Sequence, residues 1–210
     1  MGSAKAIVGQ FLELTENNKD KQALELYLKE QGSFFAAFER ATDNFEFHSN
    51  IVIPLLFKYK DSAFAYKESI RILEAQQLLT EAVILINNEI STHYGRLVYE
   101  LEKLYIEAGY YDYALVQTDK ILNITNDKGY HATAYINKAY IYILMDKKTS
   151  ALKSAEKAVS ILKKYKLEDE HNILADCQKI IEATKSNHTS KMASLKEIMQ
   201  NQFRLRHTNI

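Results

Sequence analysis

The chain has 210 residues, enough for one large domain or a continuous repeat array. With one proline and six glycines it lacks the turn residues that a sandwich or barrel needs every few positions. Lys+Arg and Asp+Glu balance at 27 each, so net charge gives no sign of a nucleic-acid binder, and no direct nucleic-acid contact is expected.

Cys177 is the single cysteine. It excludes an intrachain disulfide and suits a reducing, cytoplasmic compartment. No apolar run approaches the ~20 residues of a membrane span, so no membrane partner is expected. The opening MGSAKAIVGQF has neither the basic start nor the apolar core of a secretion signal. Its MGS resembles an expression-vector start, which leaves a natural upstream segment as an expectation.

Apolar positions recur at three and four residues, the spacing of one helix face. AIVGQFLELTENNKDKQALELYLKEQ reads as two helices split at the polar TENNKD. A third helix begins after Gly32, with Ser33 as N-cap, in GSFFAAFERATDNF. In NIVIPLLFKYK, Pro54 has no N–H and belongs in the first helical turn or at a kink. DSAFAYKESIRILEA, capped by Asp61 or Ser62, and LTEAVILINNEIS read as the next pair. GRLVYELEKLYIEAG ends at Gly109, because glycine adopts positive φ without strain. YYDYALVQTDKILNI restarts at once, so Gly109 marks the turn of a helical hairpin. HATAYINKAYIYILMD with KTSALKSAEKAVSILKKY forms another hairpin, and EDEHNILADCQKIIEA with SKMASLKEIMQNQF the last. About ten helices are expected.

Ala114-Leu115 and Ala151-Leu152 lie 37 residues apart, and Tyr105 falls on Tyr142 at the same offset. A fixed offset between helix pairs signals a solenoid, because one hairpin cannot bury its own apolar face and neighbours stack to cover it. Alanines at 114 and 151 suit the close crossing of two helices.

These residues resemble the tetratricopeptide repeat. Val98, Leu101, Tyr105, Gly109, Tyr111, Ala114, Leu115 and Ile121 fill most places of its pattern. Tyr135, Ala139, Tyr142, Ala151, Leu152, Ala155 and Ala158 fill the next copy. Glu102 stands where a small residue is usual, Asn126 where proline is usual, and the offset exceeds the usual ~34 residues. Tyr66, Leu73, Ala82 and Ile86 make a weaker upstream copy. The expected fold is all-α, antiparallel helix hairpins stacked as a short solenoid. The expected division is N-terminal helical pairs over 1–60, repeats over 61–166, and a C-terminal pair or cap over 167–210. Met192, Leu195, Met199 and Phe203 form an apolar stripe there, so the last helix is expected to cap the array or to mediate a homodimer. The basic bias of Lys185, Lys191, Lys196, Arg204 and Arg206 reads as a solvated face.

Catalysis, metal and cofactor are not expected. There is no Gly-rich phosphate loop, His-Glu-x-x-His or Cys-x-x-Cys. His171 and Cys177, six residues apart, point to different helix faces, and EDEH reads as an acidic helix start. Cys177 reads as a small buried residue. In tetratricopeptide repeats the first helix of each hairpin lines the concave face. By that resemblance Arg96, Tyr99 and Lys103 face a groove, followed by Asn137 and Tyr140, with Lys67 and Arg71 from the weaker copy. Cations to take a carboxylate, an asparagine to pair with extended backbone and tyrosines for contact area suit a peptide. The expected function is a non-catalytic protein- or peptide-binding scaffold. The alternative is the effector-binding domain of a bacterial transcription regulator with an upstream DNA-binding motif, since similar arrays sense peptides in Gram-positive regulators. Chaperone C-termini are not expected ligands, because only Asn137 matches the carboxylate-clamp positions.

Overall fold

The computed structural model describes residues 3–87, 92–124, 126–166, 173–185 and 193–197. The chain is all-α, with no strand among the described residues and with helices packed against their chain neighbours. It forms two compact units, and the division falls inside a helix, after Leu97.

The N-terminal unit contains α1 (Ala4–Glu16), α2 (Asp20–Ala37), α3 (Ala41–Phe47), a π-turn (His48–Val52), α4 (Ile53–Tyr59) and α5 (Ser62–Asn87). Its core is aromatic. Phe11, Phe34 and Phe47 pack mutually at ring distances of 5.3–5.8 Å, and Tyr27 lies 4.9 Å from Phe34. Pro54 sits in the first turn of α4. The π-turn precedes it, with the Ile53 N–H reaching back five residues to the His48 carbonyl.

Two expected breaks are absent. α2 continues through Gly32 and Ser33, with the backbone leaving helical values at Glu30 instead (φ −116°, ψ 26°). The segment from 62 to 87 is one helix of 26 residues rather than a pair. Its interior around Gln76–Gln77 holds no glycine or proline, and Gln76, Gln77 and Thr80 are buried, so a polar patch read as a connector is a helix face. Ala82 of the weak upstream copy is exposed, and no hairpin turn separates it from Leu73. Asp61 caps α5, its Oδ1 accepting from the Phe64 N–H at 3.0 Å.

α6 (Thr92–Glu107) runs through the division. The C-terminal unit continues with α7 (Tyr111–Ile124), α8 (Lys128–Leu144), α9 (Lys148–Tyr165) and α10 (Ile173–Lys185). α8 packs on α7, α9 and α10, and α9 on α10. Buried alanines at 132, 139, 151, 155 and 158 let α8 and α9 approach closely. Cys177 is buried in the same core, as is Leu195 from the 193–197 segment. Met192, Met199, Phe203 and the EDEH acids with His171 lie outside the described residues.

One turn is built three times. Between α6 and α7 the Gly109 N–H donates to Ile106 O (3.1 Å) and the Tyr110 N–H to Tyr105 O (2.8 Å), with Gly109 at φ 82°. Between α8 and α9, Asp146 donates to Ile143 O (3.0 Å) and Lys147 to Tyr142 O (2.8 Å), with Asp146 at φ 58°. Between α1 and α2, Asn18 donates to Thr15 O (3.0 Å) and Lys19 to Leu14 O (2.8 Å), with Asn18 at φ 56°. This pairing is the Schellman motif, in which a left-handed residue ends the helix and satisfies its last carbonyls. In each case the next helix places a fully buried alanine five residues after the left-handed one: Ala23, Ala114 and Ala151.

Candidate functional site: a polar row on α6, α8 and α10

α6, α8 and α10 are joined by side-chain hydrogen bonds in the C-terminal unit. Asn137 Nδ2 of α8 donates to Glu102 Oε2 of α6 at 2.9 Å. Tyr140, one turn along α8, donates its hydroxyl to Asp176 Oδ2 of α10 at 2.6 Å, and Lys179 pairs with the other Asp176 oxygen at 3.0 Å. Helical spacing puts Asn137 and Tyr140 on one face of α8, and each reaches a different neighbour. Tyr99 and Lys103, four apart on α6, share a face, with the Lys103 ammonium 5.8 Å from the Tyr99 ring centre. Lys103 also pairs with Glu100 at 2.9 Å. Asn137, Tyr140, Tyr99 and Lys103 are all half-buried.

Glu102 is the centre of this row and is fully buried. Its Oε1 lies within hydrogen-bond reach of the Thr118 hydroxyl of α7, and that hydroxyl also lies 2.9 Å from the Ala114 carbonyl. One hydroxyl proton serves one acceptor. The geometry is fully satisfied when Glu102 is protonated: its O–H donates to Thr118, Thr118 donates to Ala114 O, and Asn137 donates to the other carboxyl oxygen. Burial pushes the Glu102 carboxyl up to about 7, against the opposing pull of the Thr118 and Asn137 hydrogen bonds. Sequence reading met Glu102 as a departure from a small-residue position. A charged residue on the apolar side of α6, between Leu101 and Tyr105, was the available signal.

The remaining expected contacts belong to the N-terminal unit. Lys67 is exposed on α5 and makes no ion pair among the described residues. Arg71 is held by Glu68 at 3.0 Å and by the Gln31 side-chain carbonyl. Arg96 pairs with Glu46 at 2.7 Å and lies 5.4 Å from the Phe45 ring centre. Thus Arg71, Arg96 and Lys103 each have a carboxylate already in place.

The N-terminal unit also holds a buried polar cluster that sequence reading missed. His48 of the π-turn is fully buried, and its Nδ1 lies 2.7 Å from the Asn44 carbonyl, so Nδ1–H donates and Nε2 carries the lone pair. Gln76 Nε2 donates to Asn44 Oδ1 at 2.6 Å, and Asn44 Nδ2 donates to Phe35 O at 3.1 Å. Phe35 stacks on the imidazole at 4.5 Å. Burial pushes the His48 imidazole down to about 4, aided by the Arg71 charge and opposed by the Asn44 hydrogen bond. Tyr27 Oη, His48 Nε2, Ser69 Oγ and Gln76 Oε1 are buried without hydrogen-bond partners among the described residues, each at a desolvation cost of about 1–3 kcal/mol. Burial likewise raises the Tyr27 hydroxyl.

Among the described residues no helix is long and apolar enough to cross a membrane. Comparison with family models, with curated proteins and with solved structures finds no match.

Proposed function

We propose that the chain is a non-catalytic scaffold of tetratricopeptide-like hairpins, acting in the cytoplasm, that holds an extended peptide or protein segment. The carrying observation is the row on the first helices of successive hairpins. Tyr99 and Lys103 on α6 and Asn137 and Tyr140 on α8 are half-buried and held by partners on their own or a neighbouring first helix. Side chains ordered before a ligand arrives lose little further entropy on binding. Asn137 uses its Nδ2 on Glu102 and keeps Oδ1 for a ligand N–H; Lys103 can exchange Glu100 for a ligand carboxylate. The three repeated hairpin turns support the tetratricopeptide likeness, since identical capping with a buried alanine five residues on is what stacked hairpins require.

The test is a displayed random-peptide library panned against the chain, with enriched peptides titrated by fluorescence anisotropy. Tyr99→Ala with Lys103→Glu is expected to weaken the enriched peptides at least about tenfold. No enrichment, or equal binding by a double variant with an unchanged melt, contradicts the proposal.

A further inference from the structure

The four polar atoms left without partners in the N-terminal unit belong to three neighbouring elements: Tyr27 Oη to α2, His48 Nε2 to the π-turn, and Ser69 Oγ and Gln76 Oε1 to α5. All four side chains are fully buried. The Tyr27 and His48 rings lie edge to face with centres 5.6 Å apart, and Gln76 Nε2 lies 3.3 Å from His48 Nδ1. Ser69 and Gln76 are seven residues apart, so they share one face of α5 with about 10.5 Å of rise between them. The Glu68 and Arg71 charges, on either side of Ser69, both act on the Tyr27 hydroxyl, and the Arg71 charge also acts on His48. The four groups therefore form a row along α5, with Ser69 at one end, Tyr27 between, and His48 with Gln76 at the other.

The helices around this row are irregular. α2 leaves helical values at Glu30, about one turn beyond Tyr27, and His48 opens the π-turn. Single π-turns within helices occur frequently at functional sites. α5 also turns an unexpected face inward. Gln76, Gln77 and Thr80 are buried, whereas Leu78 is 69% and Leu79 47% exposed. Burying the leucines in place of the glutamines would remove more apolar surface from water. The fold forgoes that gain and keeps a polar interior.

The hydrogen-bond inventory selects the occupant. Asn44 Nδ2 donates to Phe35 O, so Asn44 Oδ1 is the acceptor for Gln76 Nε2, and Gln76 Oε1 is the atom left over. Asn44 O can only accept, so His48 Nδ1 carries the hydrogen and His48 Nε2 a lone pair. The row thus presents two groups that only accept, His48 Nε2 and Gln76 Oε1, and two hydroxyls that donate or accept. An anion cannot serve the two acceptors. A cation is disfavoured by the Arg71 charge, and the nearby Glu68 carboxylate is already taken by Arg71 at 3.0 Å and Gln31 at 3.3 Å. The occupant is neutral, donates at least two hydrogen bonds, accepts from hydroxyls, and fits among side chains with no exposed surface. Water has these properties, and buried polar groups are commonly joined through it.

We infer that the row between α2, the π-turn and α5 is an internal water site holding two ordered waters, with the Tyr27 hydroxyl between them. One water joins polar atoms up to about 5.6 Å apart, twice an O–H···O distance, so a single molecule cannot span the ~10.5 Å from Ser69 to Gln76. The first water accepts from the Ser69 hydroxyl and donates to Tyr27 Oη. The second accepts from the Tyr27 hydroxyl and donates to His48 Nε2 and Gln76 Oε1. Every one of the four atoms then has a partner, and the waters tie three elements together where direct side-chain bonds do not. The site is independent of the peptide row on α6 and α8.

The experiment combines thermal melts with oxygen-17 relaxation dispersion of the whole chain, which counts waters held inside the protein. Tyr27→Phe and Ser69→Ala each delete one oxygen. Each is expected to lower the melting temperature by about 2–4 °C, because a bridged hydroxyl is lost. The two together should lower it by less than the sum, since they share the first water. The double variant should also hold at least one internal water fewer than the parent. Removing a dry, unpartnered hydroxyl has the opposite sign and raises the melting temperature. A higher melting temperature for Tyr27→Phe or Ser69→Ala overturns the inference, as does a water count in the folded double variant equal to the parent's. If Tyr27→Phe does not fold, Ser69→Ala alone decides by the sign of its shift and by its water count. An organic solute carried by the parent in a native mass spectrum and lost in Ser69→Ala would overturn water as the occupant.

Discussion

Glu102→Gln should make the chain more stable at alkaline pH and remove one part of its pH dependence. A carboxyl raised from 4.5 to about 7 binds its proton more tightly in the folded state than in the unfolded one. Its contribution is therefore fully present below the unfolded value, near 4.5, and is lost as pH rises through about 7. The difference of about 2.5 pH units corresponds to about 3 kcal/mol of stability lost between pH 4.5 and 8. Glutamine imitates the neutral acid: its N–H donates to Thr118 and its carbonyl accepts from Asn137, with one spare N–H as the residual cost. The assay is urea unfolding of parent and variant at pH 5, 6, 7 and 8. The stability difference should change by about 3 kcal/mol in the variant's favour from pH 5 to 8, or roughly 5–10 °C in melting temperature. Subtracting the two profiles cancels every other titrating group. A difference that stays flat with pH, or a variant that loses stability equally at all four values, would refute the protonated-acid geometry.

Other outcomes follow from the same structure. His48 acts with the opposite sign: its folded value of about 4 lies below the unfolded 6.5, so its contribution is present above pH 6.5 and lost as pH falls towards 4. The stability difference between parent and His48→Gln should therefore rise by about 3 kcal/mol in the parent's favour from pH 4 to 6.5, measured by the same urea series. Ala23→Leu, Ala114→Leu and Ala151→Leu each push methylenes into a site with no exposed surface and should cost about 1–3 kcal/mol in thermal melts. Gly109→Val places a β-branched residue at φ 82° and should destabilise although space for a Cβ is open, whereas Asn18→Gly and Asp146→Gly should be neutral or stabilising.

The helical hairpins of the C-terminal unit were legible because their signals are local. Gly109 announced a left-handed turn, and Ala114-Leu115 and Ala151-Leu152 marked the crossings at a fixed offset. The matching turn at Asn18 went unread as a repeat because asparagine adopts positive φ less conspicuously than glycine, and Ala23-Leu24-x-x-Tyr27 lies outside the 37-residue spacing. The single α5 was misread for the reverse reason: buried Gln76, Gln77 and Thr80 have the composition of a connector, and only their tertiary setting makes them interior. The polar row was half legible. Asn137 and Tyr140 were singled out by the tetratricopeptide resemblance, but the hydrogen bonds between α8 and its neighbours join residues 35 and 36 apart in the chain, which no local pattern encodes.

Hydrogen exchange with an enriched library peptide bound tests the proposed binding row on α6 and α8. Amides are slowed where a ligand stabilises the helix beneath it. Binding is predicted to slow exchange over Tyr99–Lys103 and Asn137–Tyr140 and to leave the outer turns of α2 and α9 as they were. Protection confined to α2, α5 or α9, with α6 and α8 unchanged, would place the peptide elsewhere.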